Sequence, residues 1–488
     1  IVGSAFFLVV ATLVRLVFDG KLKILKSPLT VLGLLVIVIG MVQLIPLPGR
    51  LASRLSPHAR EIYGHGFLPE LALMDDPNVS IPEPASMRSP ASLDRASTLH
   101  WIVSATACLA LFWGVSHYAD RMQRLYLVWG CVIAAFLFNG TIAVIQISTR
   151  GDGLFGYMIP GEAAWWAPSS DDLLNAPGSA VLRDLKRPAV PNHVRTERGS
   201  EVWAMEIPYR PQLLGTMMGG PGAILALGSM AFPLAFSILL HVVAPKGSRE
   251  RISDRLSQSG HGGLAVLLCL LLSAVSVVLG LAAGPWYSLI FIISVAVVGL
   301  PSVVIPGVRW PAAALSVLLI ALLLLGVGLG EAWTRLFESP RPISYPNYEL
   351  TKNLWREGLS IFHDFPVVGV GMGGFQAIHP YYKTQDANPN TAMSSLIQWG
   401  AESGIAGLSI LAMGVFWCAW RVLPCLKKVG SADSCLAYGL IGSALGLTLL
   451  SAIHWTFELS AVAVTASALG GTWNRWLAGG TDLFVERG

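Results

Sequence analysis

Apolar runs of about 20 residues recur along most of the chain, separated by short polar connections and by three long polar segments. Each run is long enough to cross a bilayer of roughly 30 Å as an α-helix. The pattern predicts about eleven membrane-spanning helices, near residues 1–18, 29–48, 98–117, 125–147, 212–242, 263–283, 286–305, 310–329, 394–423, 435–453 and 459–474. The predicted fold class is therefore an all-α, polytopic integral membrane protein.

The short connections carry basic residues mainly on one side of the membrane. Under this span count, that side holds Lys21, Lys23, Lys26, Arg121, Arg124, Lys246, Arg249, Arg251, Arg255, Arg309, Lys427, Lys428 and Arg475. Because short basic loops remain cytoplasmic, the long polar segments 49–97, 148–211 and 330–393 are expected on the opposite face. Segment 49–97 holds five arginines, which opposes this orientation, but the alternation across all the spans outweighs it.

This pattern divides the chain into three parts. Residues 1–329 form a transmembrane bundle that includes the polar segments 49–97 and 148–211. Residues 330–408 contain a large polar loop with short amphipathic helices, and residues 409–488 hold the C-terminal transmembrane helices.

The segment from Glu349 to Leu408 is the polar part on which a functional interpretation depends. On a helical projection, Lys352, Arg356 and His363 fall within about 40° of one another, with apolar residues on an adjacent face. This spacing predicts an amphipathic helix with a basic ridge. A helix stop follows at Asp364-Phe365-Pro366, and then a glycine-rich turn, 369–375, where backbone can approach another group closely.

Composition supports the membrane assignment and excludes other classes. The 488 residues are 53% hydrophobic and 13% charged, with a mean hydropathy of +0.60. A soluble chain carries roughly 25% charged residues. The net charge of +4 gives no reason to expect nucleic acid as a partner.

The six cysteines lie in predicted spans or on the cytoplasmic side, and no CxxC or HExxH spacing occurs. We therefore expect small buried cysteines, with no disulfide framework and no metal. No cleavable signal peptide is evident, and because residue 1 is Ile rather than Met, residues preceding it are expected.

Four stretches in the same order resemble the O-antigen ligase and O-antigen polymerase superfamily of bacterial membrane glycan ligases. Residues 90–98, PASLDRAST, are similar to the family's PxSLDPxAT-like start of a span. Gly215-Thr216 with Phe232-Pro233-Leu234-Ala235 is similar to a second family span. Residues 355–375 resemble the WxxALxxxxxxPxxGVGxGxF signature, and the LQxxxExGxxGL-like span is matched at Gln398, Glu402, Gly404, Gly407 and Leu408. The signature positions are Trp355, Gly369, Gly371, Gly373, Phe375 and Gly404.

The resemblance implies a multi-pass protein of the bacterial inner membrane with its functional face in the periplasm. Such enzymes transfer a glycan from an undecaprenyl-pyrophosphate carrier to a lipid or sugar acceptor, as in lipopolysaccharide biosynthesis. The implied partners are membrane lipids, the lipid-linked glycan donor and the glycan or lipid acceptor. No cofactor is implied, because the carrier already holds the activated sugar.

The chain departs from the family where the chemistry is expected. Leu281-Ala282-Ala283-Gly284 replaces an SRGG-like motif and lacks its arginine. Thr351 stands at a usual Arg position, and Met393 at the position of the family's His. Methionine cannot replace histidine as a base, and alanine cannot replace arginine in binding pyrophosphate.

If the chain is an active glycosyltransferase, other residues must perform these roles. His379 and His363 are the candidate catalytic bases, because histidine titrates near neutral pH. The candidate substrate-binding residues are Arg335, Lys352 and Arg356 for pyrophosphate, Tyr381, Tyr382, Asn388 and Asn390 for sugars, and Gln398 and Glu402 on the following span.

Each candidate also has a simpler structural interpretation. The basic ridge and the tyrosine pair are typical of contacts with lipid headgroups and the membrane interface. His379 before Pro380 is typical of a solvated loop, and Asn388 and Asn390 around Pro389 are typical of a turn.

Two alternatives to an enzyme are open, and the substitutions support the first of them. One is a pseudoenzyme, a catalytically inactive ligase-like scaffold that binds lipid-linked glycan or serves as a subunit of an envelope complex. The other is a transporter, which predicts broken helices or acidic and basic residues within the membrane. The family pattern at Glu402 favours a scaffold role for this carboxylate over an ion path.

Overall fold

The structure is a computed structural model that describes part of the chain. The described residues are 25–48, 90–149, 194–195, 201–202, 220–243, 271–272, 275, 285–303, 309, 312–314, 316–318, 320–321, 348–384, 391–427, 434–453 and 460–479.

The described residues are almost entirely helical. The helices are α1 (Pro28–Leu44), α2 (Arg95–Tyr118), α3 (Met122–Thr149), α4 (Gly220–Val243), α5 (Pro285–Ser302), α6 (Tyr348–Asp364), α7 (Phe375–Tyr382), α8 (Ser395–Leu426), α9 (Ser434–Ile453) and α10 (Ser460–Gly479). Two-residue strands, β1 (Val194–Arg195) and β2 (Glu201–Val202), form one antiparallel pair.

Five described helices are long and apolar enough to cross a membrane: Arg95–Tyr118, Met122–Ile145, Ala223–Val242, Ser395–Leu426 and Ser434–Ile453. Two shorter apolar helices lie at Pro28–Leu44 and Leu289–Ser302. The chain is thus a helical, multi-pass membrane protein. The predicted spans near 1–18, 263–283 and 310–329 fall wholly or largely outside the described residues, so the count of eleven remains a prediction.

Short polar residues begin the helices that shape one end of the bundle. Asp94 caps α2 by accepting the Ser97 backbone N–H at 3.0 Å and the Ser97 hydroxyl at 2.7 Å. These hydrogen bonds stabilise the carboxylate and lower the pKa of Asp94 below its ordinary value. Ser394 caps α8 by accepting the N–H of Ile397 at 3.3 Å.

Helix α4 is the centre of the bundle, with almost every described side chain buried. It packs against α9 along the small residues Gly439, Gly442 and Gly446. A methyl group on Gly446 would lie 2.9 Å from the Ser229 carbonyl oxygen, and the Ser443 hydroxyl donates to the Met230 carbonyl at 2.6 Å. Small residues thus permit close helix contact where lipid supplies no hydrophobic driving force.

Hydrogen bonds between helix termini define the two ends of the bundle. At one end, the Ser92 N–H donates to the Gln43 carbonyl at 3.0 Å, and the Ser394 hydroxyl donates to the Ala452 carbonyl at 2.7 Å. We call this the loop end, because residues 365–375 lie there. At the opposite end, the Leu25 N–H donates to His117 Nε2 at 3.0 Å, and Arg421 donates to the Leu477 carbonyl. Thus α1 ends, α2 begins and α8 begins at the loop end.

Candidate functional site

Helix α6 has one buried and one exposed face, as its sequence pattern predicts. Leu354, Glu357 and Ile361 are buried, whereas Lys352, Arg356, Leu359, Ser360 and His363 are exposed. Gly358 lies on the buried face, where a methyl group would lie only 2.6 Å from Ile397 of α8. The absence of a side chain at this position therefore lets α6 pack directly along α8.

His379 lies on α7 and is fully buried against α6. Its Nε2 lies 2.8 Å from Glu357 Oε2, and its ring stacks on Phe375 with centroids 5.4 Å apart. The other oxygen of Glu357 accepts both the N–H and the hydroxyl of Thr384, each at 2.6 Å. The three contacts of Glu357 connect α6 to α7 and to the residues that follow it, whereas the ring stacking lies within α7. His379 is thus not in a solvated loop, and its one nitrogen without a partner among the described residues, Nδ1, is buried as well.

His363 has the opposite environment, with 88% of its side chain exposed. Its Nδ1 lies 3.1 Å from Asp364 Oδ1, and Asp364 Oδ2 accepts the Tyr382 hydroxyl at 2.7 Å. When Asp364 is ionised it can only accept hydrogen bonds, so it selects the His363 tautomer that carries a proton on Nδ1 and leaves Nε2 available. Burial, the hydrogen bond to Asp364 and the charge of Asp364 raise the pKa of Tyr382.

The glycine-rich turn packs against a break in α8. Gly404 interrupts the helix with φ 64° and ψ −162°. The freed N–H groups of Ile405 and Ala406 donate to the carbonyls of Pro366 and Val367 at 2.7 and 3.2 Å. In return, the N–H groups of Val370 and Gly371 donate to the carbonyls of Ala401 and Glu402 at 3.0 and 3.2 Å. The backbone groups released by the break are therefore satisfied by the turn.

Three glycines of this turn have positive φ: Gly369 (72°), Gly371 (105°) and Gly373 (74°). A methyl group on Gly369 would lie 2.3 Å from the Glu402 carbonyl carbon, and one on Gly371 would lie 2.5 Å from Ser92 Oγ. Only glycine combines this backbone conformation with such close approach. In the described structure the signature glycines therefore contact protein groups.

The Glu402 carboxylate organises the same turn from α8. One oxygen accepts the Gly373 N–H at 2.9 Å; the other accepts the Phe375 N–H at 3.4 Å and Gln398 Nε2 at 3.0 Å. Gln398 in turn accepts the Ala392 N–H at 3.3 Å through its carbonyl oxygen. Both side chains are buried, and these hydrogen bonds are all to other groups of the protein.

Gln43, at the end of α1, completes this buried network. It donates to the carbonyls of Val368 at 2.6 Å and Glu402 at 2.9 Å, and it accepts the Met372 N–H at 3.0 Å. Gln43 is not among the predicted site residues. The available signal is an amide side chain in a predicted span, where polar groups need partners within the protein.

The structure brings the predicted site residues together in two groups that do not converge. His379, Gln398 and Glu402 are buried, as are the signature glycines apart from the partly buried Gly373. Trp355 is partly buried, and its ring N–H donates to the Met393 carbonyl at 3.4 Å. Lys352, Arg356 and His363 share the exposed face of α6. Tyr381 is 73% exposed on α7, and Tyr382 is held by Asp364. Arg335, Asn388 and Asn390 lie outside the described residues.

Glu357 and Asp364 contact the two predicted histidines but were not predicted as site residues from the sequence. Each position nevertheless carries a recognisable signal. Glu357 is an acidic residue on the apolar face of an amphipathic helix, which indicates a buried partner. Asp364 directly follows His363, but its neighbour Tyr382 comes from another helix and cannot be inferred from spacing.

Residues 268–412 match the family model described as O-antigen ligase. Over this segment the chain is similar to the O-antigen ligase family. The matched residues include α6, the glycine-rich turn, α7 and the broken part of α8. No curated protein matches the chain significantly.

Within the matched residues, Met393 occupies the position where the family resemblance places histidine. It has φ 54°, an uncommon value for a residue other than glycine, and its carbonyl accepts the Trp355 N–H. It directly precedes the Ser394 cap of α8. Its backbone therefore has a structural role that does not depend on the chemistry of its side chain.

Proposed function

We propose that this O-antigen ligase-like protein transfers a glycan from an undecaprenyl-pyrophosphate carrier to a lipid or sugar acceptor at the periplasmic face of the bacterial inner membrane. The observation that carries the proposal is the exposed face of α6. It combines a histidine oriented by a carboxylate, His363 with Asp364 at 3.1 Å, with the cations Arg356 and Lys352.

In the proposed reaction, Nε2 of His363 accepts the proton of the acceptor hydroxyl as its oxygen attacks the anomeric carbon. The bond from that carbon to the pyrophosphate oxygen breaks, and undecaprenyl pyrophosphate leaves with the electron pair. Arg356 and Lys352 stabilise the negative charge that develops on the leaving group. Asp364 holds the base in its productive tautomer and stabilises the imidazolium.

The spacing along α6 is compatible with a substrate of this kind. Arg356 precedes His363 by seven residues, a rise of about 10 Å on the same helix face. An arginine side chain spans part of that distance, so a diphosphate and its first sugar fit between the two groups. His379 is a weaker candidate for the base, because its Nε2 is held by Glu357 in a buried position.

A second candidate function is a catalytically inactive scaffold that binds lipid-linked glycan or serves as a subunit of an envelope complex. Met393 at the family's histidine position favours it, as does the full use of Glu402 in contacts within the protein. The break at Gly404 is a feature expected of a transporter, but the hydrogen bonds of the turn to both sides of the break support a packing role.

The test is a reconstituted transfer assay with undecaprenyl-pyrophosphate-linked glycan and a sugar or lipid acceptor. We expect turnover in the wild type, a loss of roughly 10²–10⁴-fold for His363→Gln as for other general bases, and a smaller loss for Arg356→Gln. Gln376→Ala, an exposed change on α7, is the matched control and is expected to retain activity.

Carrier binding is measured in parallel on the same preparations. Binding without turnover in the wild type supports the scaffold and overturns the transferase. If turnover survives His363→Gln but is lost in a folded His379→Gln variant, the general base is His379 and not His363.

A further inference from the structure

The α6–turn–α7 hairpin runs alongside the first turns of α8, and its tip lies at the break. Successive contacts pair Trp355 with Met393, Gly358 with Ile397 and Phe362 with Gly400. Position increases along both helices together, so α6 runs parallel to the first part of α8. The tip, residues 365–368, is hydrogen-bonded to Ile405 and Ala406.

A long exposed apolar surface of α8 begins at this break. Exposed large apolar side chains follow one another along it, at Ile405, Leu411, Met413, Val415, Phe416, Trp420 and Leu423. From Ile405 to Leu423 the helix rises about 27 Å, close to the roughly 30 Å of a hydrocarbon core. Above the break, Gln398, Glu402 and Ser403 are buried polar residues, and Leu396 is the exposed large apolar side chain.

The exposed apolar surface of helix α1 ends at the same level. Its exposed apolar side chains run from Val31 to Ile45. Gln43, two residues before Ile45, is hydrogen-bonded to the carbonyls of Val368 and Glu402. Two separate helices therefore align the ends of their apolar surfaces with the hairpin tip.

We infer that the hairpin tip inserts into the phospholipid leaflet at the loop end of the bundle. Val367, 38% exposed, is level with Ile405, 54% exposed, and both side chains contact acyl chains near the boundary. The exposed face of α6 then rises out of the leaflet. His363 lies about one turn above the tip, in the headgroup layer, and Arg356 lies about 10 Å farther out.

This arrangement matches the chemistry of a phospholipid surface. An apolar tip contacts acyl chains, while cationic side chains above it contact phosphate groups. If the proposed function holds, the same arrangement places His363 at the depth where a membrane-anchored pyrophosphate lies. The insertion itself depends only on packing and exposure.

The test measures the depth of nitroxide spin labels in the full chain, reconstituted into phosphatidylethanolamine–phosphatidylglycerol nanodiscs. Single cysteines are introduced at Val367 and, as a second reporter of the tip, at Val368, in a variant whose six native cysteines are replaced by alanine. Ile405→Cys is the control for a lipid-facing position, and the exposed Gln376→Cys is the control for an aqueous one.

We expect the ratio of oxygen to nickel-chelate accessibility at Val367 to resemble that at Ile405 and to exceed that at Gln376 several-fold. A ratio at both tip positions equal to that at Gln376 would overturn the insertion. Because this readout requires no substrate, lipid contact without glycan transfer would reject the proposed function and leave the insertion standing.

Discussion

At the scale of single residues, the contact between the turn and α8 depends on two glycines that face each other across it. A methyl group on Gly404 would lie 2.5 Å from the Val367 carbonyl oxygen, and one on Gly369 would lie 2.3 Å from the Glu402 carbonyl oxygen. Both glycines also have positive φ. The obstructing atoms are backbone, which cannot rotate away, so neither position tolerates a side chain.

We therefore predict that Gly404→Ala and Gly369→Ala each destabilise the protein by roughly 2–5 kcal/mol, from backbone strain and overlap together. Gly130→Ala is the matched control, because nothing lies within 4 Å of its added methyl group and it sits in the exposed part of α3. Thermal unfolding in detergent measures the difference. Equal unfolding temperatures for Gly404→Ala and Gly130→Ala would mean that the break is not packed as described.

The Tyr382–Asp364 hydrogen bond predicts a loss of stability in alkali. The raised pKa of Tyr382 means that, above the ordinary tyrosine pKa of about 10, the unfolded chain loses this proton before the folded chain does. The folded state then binds more protons, so stability decreases as pH rises through this window and is fully retained below it. Tyr382→Phe removes this contribution to the slope.

The measurement is the unfolding temperature of wild type and Tyr382→Phe between neutral and strongly alkaline pH. Tyr381→Phe is the control, since Tyr381 is 73% exposed. A wild-type decrease that persists unchanged in Tyr382→Phe would assign the alkaline sensitivity to other groups.

The environments of single side chains are the feature that the sequence predicted least well. The sequence pattern identified His379 and His363 as one group, whereas the structure buries the first beside Glu357 and exposes the second beside Asp364. Periodicity along one helix cannot show this difference. His379 and Tyr382 both lie on α7, whereas their partners Glu357 and Asp364 lie on α6. Contacts between helices decide which histidine is accessible.

At the scale of elements, the described helices lie close to where the apolar pattern predicts them. The spans predicted at 98–117, 394–423 and 435–453 correspond to α2, α8 and α9, with ends that differ by a few residues. Long apolar runs are a strong signal, because every backbone group in a bilayer must be bonded within the helix. The break in α8 was not predicted, since Gly404 alone is tolerated inside many membrane helices.

The contact between α1 and the glycine-rich turn depends on the side chain of Gln43. Gln43→Leu keeps the approximate size of the side chain but leaves two carbonyls and one N–H without their present partner. At about 1–3 kcal/mol for each buried polar group left unsatisfied, we predict a destabilisation of at least about 2 kcal/mol. Gln376→Leu, on the exposed face of α7, is the control and should change stability little.

The local consequence of Gln43→Leu can be measured by hydrogen exchange followed by mass spectrometry. We expect faster exchange at the N–H groups of Val370, Gly371 and Met372, which the intact network holds. Unchanged exchange over residues 368–373, together with an unchanged unfolding temperature, would show that Gln43 does not hold the turn.

At the scale of the whole molecule, the hydrogen bonds between helix termini and the distribution of charge describe the same two ends. The segments at the opposite end contain Lys26, Arg121, Arg124, Arg421, Lys427 and Arg475. The loop end contains the glycine-rich turn and α6; Lys352 and Arg356 of α6 belong to a long polar segment, whose charges carry little weight in orientation. Because basic residues concentrate in cytoplasmic connections, this distribution predicts that the loop end faces away from the cytoplasm.

That orientation is a condition for the proposed reaction, because a periplasmic transferase must present α6 to the periplasm. We predict that a membrane-impermeant maleimide labels Gln376→Cys in intact spheroplasts, and labels Lys427→Cys only after the membrane is permeabilised. Both positions are exposed, and they belong to opposite ends of the bundle. The cysteine-free variant serves as the background. If only Lys427→Cys is labelled in intact spheroplasts, the orientation is the opposite one and a periplasmic transferase is excluded. If both positions are labelled in intact spheroplasts, a membrane does not separate the two ends.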